Sequence, residues 1–140
     1  TDGSATYAGI ARLVAADSDG LYQLTGPTTV SLAFENADAT VEIGPLNGER
    51  LDPFEVDPIP VTDLDGFTIS NVDLKNGVLS DGSVAWGGTD STTQLSGSQT
   101  LHHQGQVFGP NGSEVGGAFV INDQDNGEFL IQGTYLADQP

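Results

Sequence analysis

The sequence predicts an all-β fold: a small antiparallel up-and-down β-barrel of about 8 strands. Three observations carry this expectation. Glycine and proline, 19 and 7 of the 140 residues, punctuate the chain at short intervals. Apolar residues recur with period 2, and no stretch carries an apolar stripe at helical spacing. Tight-turn dipeptides fall between the alternating runs, and a meander of this many strands closes on itself to remove its edges.

Strands are expected at about 6–14, 20–25, 29–35, 39–46, 66–74, 77–86, 94–108, 115–122 and 128–136. Asp19-Gly20 turns the chain after the first. In the third, Val30, Leu32 and Phe34 share one face, against Thr29, Ser31 and Glu35 on the other. Val41 and Ile43 against Thr40 and Glu42 extend the pattern. Residues 47–65 break it, with three prolines (Pro53, Pro58, Pro60) and a run of acids. The simpler reading is a long solvated surface loop. The functional reading is that the prolines hold Phe54 and Ile59 as an apolar contact on an acidic rim. Asp65-Gly66 opens the next strand, in which the phase slips, Phe67 and Ile69 falling against Val72 and Leu74. Asn76-Gly77 and Asn126-Gly127 are the strongest hairpin signals, because both central residues of a type I′ turn need positive φ; Asp81-Gly82 is a weaker one. In the last strand Phe129, Ile131 and Tyr135 alternate with Leu130, Gln132 and Thr134. Glycines within strands (Gly9, Gly97, Gly105, Gly116, Gly117, Gly133) suit the bends of a small barrel.

Length fits a single domain spanning 1–140 with a self-sufficient core. Twenty acids against three bases (Arg12, Arg50, Lys75) give a formal charge of −17. Such a surface repels phosphate backbones and anionic lipid, so nucleic-acid and membrane-surface roles are not expected. No apolar run approaches a membrane span of about 18 residues. Without cysteine there is no disulfide framework, thiolate nucleophile or zinc–thiolate site. The absence of methionine, even at position 1, implies a start removed by signal cleavage or by trimming. The acidic, lysine-poor composition fits an exported bacterial product at the cell surface or outside it, and fits adaptation to salt equally well.

Residues 105–121 read GQVFGPNGSEVGGAFVI. This stretch resembles the strand-turn-strand signature of the transferrin-binding-protein-like β-barrel family of Gram-negative bacteria. Gly105, Phe108, Gly109, Pro110, Asn111, Glu114, Val115, Gly116, Gly117 and Phe119 fall on that pattern. The flanks agree more loosely: Tyr7-Ala8-Gly9-Ile10-Ala11 as an opening strand, Val30-x-Leu32-x-Phe34 after it, and Gly127-x-Phe129 in a closing hairpin. The family includes lipoproteins that bind host transferrin, complement regulators or heparin, and secreted hemophores. The resemblance implies a binding module, not an enzyme, and implies that the motif itself is structural: Pro110-Asn111-Gly112 as a turn, Gly116-Gly117 as the place where the next strand coils.

Candidate sites are few. His102 and His103 are adjacent, so they point to opposite faces of a strand, His103 with Leu101 and Val107, His102 with Gln104 and Gln106. One imidazole could ligate a heme iron, as in hemophores that resemble this barrel; the alternative is one exposed and one packed histidine. Trp86, beside Gly87-Gly88, is either a partner anchor or a core residue. Asp17-Ser18-Asp19-Gly20 and residues 122–128 gather hard oxygens, but without EF-hand spacing, and read equally as acidic hairpin tips. No nucleophile elbow, His-Glu-x-x-His or phosphate loop is present. The expected function is therefore an extracellular binding module that recognises a protein partner or heme through its loops, including 47–65 and 87–94. Two alternatives stand beside it: a structural subunit of a larger surface assembly, which would self-associate or hold a partner, and a lipocalin-like carrier of a small apolar molecule.

Overall fold

β1 (Ser4–Asp17) and β2 (Gly20–Ala33) form a hairpin of 14-residue strands, paired from Ser4 opposite Ala33 to Asp17 opposite Gly20. The fold comes from a computed structural model that describes residues 3–17, 20–52, 54, 56–64, 66–86, 99–123 and 129–139, without the side chains of Asp17, Ala85, Trp86, Gln99, Thr100, Asp123 and Phe129. The two strands expected at 20–25 and 29–35 are thus one, running through Gly26-Pro27. Proline is tolerated there because β2 changes partner at that point. Thr28–Ala33 pair with β3 (Asp38–Ile43), and Leu21–Thr25 pair with β4 (Leu46–Leu51). The missing Pro27 N–H falls between these two ladders.

The remaining strands are β5 (Ile59–Leu64), β6 (Phe67–Lys75), β7 (Val78–Ser80), β8 (Ser83–Trp86), β9 (Gln99–Phe108), β10 (Glu114–Asp123) and β11 (Phe129–Asp138). All pairings are antiparallel, and β1 pairs with both β2 and β11, which closes an 8-strand barrel. One stave is made of β7 and β8 in succession, both paired to β6. β4 and β5 prolong β3 and β6 beyond the closed wall as a hairpin of their own.

Three local expectations are corrected. Residues 47–65 are not a solvated loop: the described ones belong mostly to the β4–β5 hairpin, because Leu46, Val61 and Leu64 reach the core while Pro58 precedes β5 and Pro60 lies on it, β5 being an edge strand among the described residues. Asp81-Gly82 does not reverse the chain; with φ of 63° and 123° it breaks one stave into β7 and β8. The slipped phase in β6 is a β-bulge. Ala39 faces Val72 and Val41 faces Ile69, so Ser70 and Asn71 oppose the single Thr40. Asn71 takes φ 56°, and Phe67, Ile69, Val72 and Leu74 all end up buried. Asn76-Gly77 is the expected tight turn, with φ of 54° and 77°. Asn126-Gly127, Asp19 and residues 87–98 lie outside the described residues.

The inward positions fill the barrel. Val30, Leu32, Val41, Ile43, Ile121 and Ile131 pack around Phe67 and Phe119, whose rings meet edge-on with centroids 5.5 Å apart and planes at 74°. Thr28, also buried, donates its hydroxyl to the Glu42 carbonyl at 2.9 Å. Among the described residues no helix is long and apolar enough to cross a membrane.

Candidate functional site

The structure separates the sequence-predicted residues into a buried polar cluster in the wall and an exposed apolar tip. The cluster is built where β9, β10 and β11 run side by side. Period 2 turns His103 inward and His102 outward, as the alternation expects, leaving His103 with 6% of its surface exposed. Its Nδ1 lies 3.1 Å from the Asp81 carbonyl, and its Nε2 lies 2.7 Å from the Tyr135 hydroxyl. A carbonyl only accepts, so Nδ1 carries the proton and Nε2 accepts from Tyr135. Burial lowers the His103 pKa, opposed by the hydrogen bond and charge of Asp81, and burial raises the Tyr135 pKa. Both groups are therefore neutral, which fits this donor–acceptor chain.

Asp81 matters through its backbone. The ladder between β7 and β9 ends at Ser80 opposite Gln104, after which the Asp81 N–H donates to the His103 carbonyl at 3.1 Å. The His103 ring returns a hydrogen bond to the Asp81 carbonyl, so the histidine closes the ladder where the stave breaks. The Tyr135 ring needs room on the neighbouring strands. Gly105 and Gly117 face each other across β9 and β10, and Gly117 faces Tyr135 across β10 and β11. A Cβ on Gly117 would sit 2.4 Å from the phenol oxygen, and one on Gly105 would sit 2.7 Å from it. These glycines provide space rather than a bend.

The rest of the glycine-rich motif is also spent on the wall. Pro110–Gly112 form a 3-10 turn, with Asn111 and Gly112 at φ 55° and 67°. The Tyr7 hydroxyl donates to the Gly112 carbonyl at 2.8 Å, and the Gln139 N–H donates to the Ser113 carbonyl at 3.0 Å. The turn is thus tied to the strand that opens the barrel and to the end of the one that closes it. Phe119 and Val115 are buried, while Gly116 lies against Leu136 and Phe108 and Glu114 against Gly109.

The tip is the opposite case. Between β4 and β5 the Phe54 N–H donates to the Asp52 Oδ1 at 2.9 Å. Phe54 and Val56 are 92% and 97% exposed there. Arg50 lies 3.8 Å from Asp52, and Asp57 and Asp63 are exposed nearby in sequence. Ile59 begins β5 and is half-buried, so of the expected pair only Phe54 stands clear; Val56 takes the second place. Trp86 ends β8 opposite Phe67, with its side chain outside the described residues. Most of both candidate calcium stretches falls outside them too. For heme, the geometry distinguishes the two imidazoles. An iron reaching His103 Nε2 would displace the Tyr135 hydrogen bond, whereas His102 is exposed.

No protein-family model matches the chain, and a search of curated proteins finds no match either. Solved structures do match. Isotype 1 transferrin binding protein B from serogroup B Neisseria meningitidis is 17% identical, with a TM-score of 0.57, over 100% of this chain and 26% of that one. Intact Ap-TbpB, with its N and C lobes, is 16% identical, with a TM-score of 0.61, over 98% of this chain and 26% of that one. At these identities the likeness is one of fold, and this chain spans about a quarter of the length of the proteins it matches.

Proposed function

We propose that this barrel is a non-enzymatic recognition module at the outer surface of a bacterial cell, binding a protein partner through the β4–β5 hairpin tip. The observation that carries this reading is the exposure of Phe54 and Val56 between the strands of the β4–β5 hairpin, well above that of any other large apolar side chain among the described residues. Leaving such a side chain in water forgoes roughly 1.5–3 kcal/mol of burial energy, which docking into an apolar pocket recovers. The Phe54–Asp52 hydrogen bond and the paired strands beneath it lower the ordering cost of binding. The shared fold with proteins named for transferrin binding supports a partner of protein class.

Capture from host serum by immobilised full-length chain tests the reading, with iron-loaded transferrin as the first named candidate. A Phe54→Ser/Val56→Ser variant with an unchanged melting temperature should retain at least about tenfold less of the captured protein, the loss expected when an interface anchor is removed. Equal capture by both proteins, or none by either, overturns it. For the heme reading, the burial and hydrogen bonding of His103 favour the exposed His102 as the iron ligand; a Soret shift on hemin titration that survives His102→Ala would overturn that assignment.

A further inference from the structure

A shallow, open groove of about 890 Å³ crosses the outer wall over β4, β2, β1, β11 and β10, between two rows of outward side chains. Register defines the rows. Arg12 of β1 lies between Thr25 of β2 and Thr134 of β11, and Asn47 of β4 continues that row beyond Thr25. Two residues further along β1, Val14 lies between Gln23 and Gln132, with Glu49 and Val120 beyond them. Rows set by residues i and i+2 of a strand stand about 6.8 Å apart, the width of a single sugar ring or extended chain.

The chemistry of this groove differs from that of the rest of the surface. The chain has 20 acids and three bases, and the groove holds one of those bases with one acid, Glu49. Arg50 sits 3.8 Å from Asp52, whereas Arg12 makes no ion pair within 4.0 Å of any described carboxylate. Its guanidinium fork is exposed and unspent, and the geometry that suits it is a carboxylate. The side chains beside it are neutral groups that both donate and accept: two threonine hydroxyls, two glutamine amides and one asparagine amide. Val14 and Val120 add an apolar shelf.

The fold excludes one class of ligand here. β1 is paired along both edges, to β2 and to β11, so no free backbone edge is offered to an added peptide strand. Recognition in the groove runs through side chains alone. A polyanion is disfavoured by the field of a −17 protein, so the complementary ligand carries few charges. We propose that the groove binds an acidic sugar, its single carboxylate on the Arg12 guanidinium and its hydroxyls on Gln23, Gln132, Thr25 and Thr134. This site lies apart from the hairpin tip and stands or falls independently of it.

The test is a titration of ¹⁵N-labelled full-length chain, following the Arg12 Nε–H and the backbone amides. The probes are 3′-sialyllactose and galacturonic acid, with lactose as the neutral control and a glutamate-rich peptide as the competing class. Saturable shifts centred on Arg12, Thr25, Gln132 and Thr134 with at least one acidic sugar, and not with lactose, are expected. Arg12→Gln should weaken binding at least about tenfold, the value of a charge-assisted bidentate contact, while its urea midpoint stays unchanged. Thr134→Val, which removes a hydroxyl but keeps the charge, should weaken it less. The proposal is overturned if neither acidic sugar gives a saturable shift, if lactose shifts the same resonances equally, or if the peptide alone binds.

Discussion

Two side-chain clusters of this barrel are handled in opposite ways. In the β9–β10–β11 wall, Tyr135 and His103 are buried, each hydrogen-bonded, with Gly105 and Gly117 making way for the phenol ring. At the β4–β5 tip, Phe54 and Val56 stand exposed, uncovered by any other described residue. The first arrangement spends its groups on holding the wall closed beside a broken stave. The second leaves its apolar surface in solvent, the feature on which the proposed partner binding rests. The contrast teaches that a large apolar side chain in this chain is buried where neighbouring strands make room for it and is left in solvent where the chain runs beyond the paired strands.

The sharpest way to break the comparison is Gly117→Val. The added side chain would occupy the space of the Tyr135 ring, and overpacking of this kind should cost about 3 kcal/mol in urea denaturation. A cost below about 1 kcal/mol would mean the ring does not depend on that glycine. Tyr135→Phe comes next. It keeps the ring but leaves His103 Nε2 without its donor in a buried site, which should cost roughly 1–3 kcal/mol.

A third effect is pH dependence. The folded-state pKa of His103 lies below its ordinary 6.5 because burial disfavours the charged ring. The unfolded chain therefore binds the proton more readily. The stability contributed by the neutral histidine is complete above pH 6.5 and is lost as pH falls from there through the lowered folded-state value. Urea midpoints measured between about pH 5 and about pH 7.5 should fall toward acid, and His103→Leu should flatten that slope even though it is less stable throughout. An unchanged slope in the variant would show that other groups set the acid limit. The smallest effect belongs to the tip: Phe54→Ser should change stability by no more than about 0.5 kcal/mol, because the side chain touches little in the free protein. A larger loss would mean that the tip, too, is structural.

The barrel was legible because alternation and turn chemistry are local. Val30, Leu32, Val41 and Ile43 face inward as their spacing required, and Asn76-Gly77 turns as its φ demands required. The motif at 105–121 was legible as a wall element through its resemblance to a known β-barrel family. The β4–β5 hairpin was not, since prolines and acids between Asn47 and Asp65 are also the composition of a loop, and pairing to β2 is a long-range event. The bulge at Asn71 appeared in the sequence only as a slipped phase. The Tyr135–His103 pair lies 32 residues apart in sequence, and no local signal links the two; cross-strand glycines at 105 and 117 were the one trace of the ring they accommodate. Arg12 gave no sign beyond being one of three bases.

By itself, then, the sequence determined the fold class, the direction in which each regular strand faces, and the charge that limits the choice of partners. These follow from period 2, from turn residues and from simple charge counting, all properties of neighbouring residues or of their sum. Tertiary structure alone decided which groups meet: the histidine with the tyrosine, Arg12 with the threonines on either side of it, and the apolar tip with solvent. Those contacts depend on strand register and on barrel closure, where a shift of one residue exchanges the faces of an entire strand.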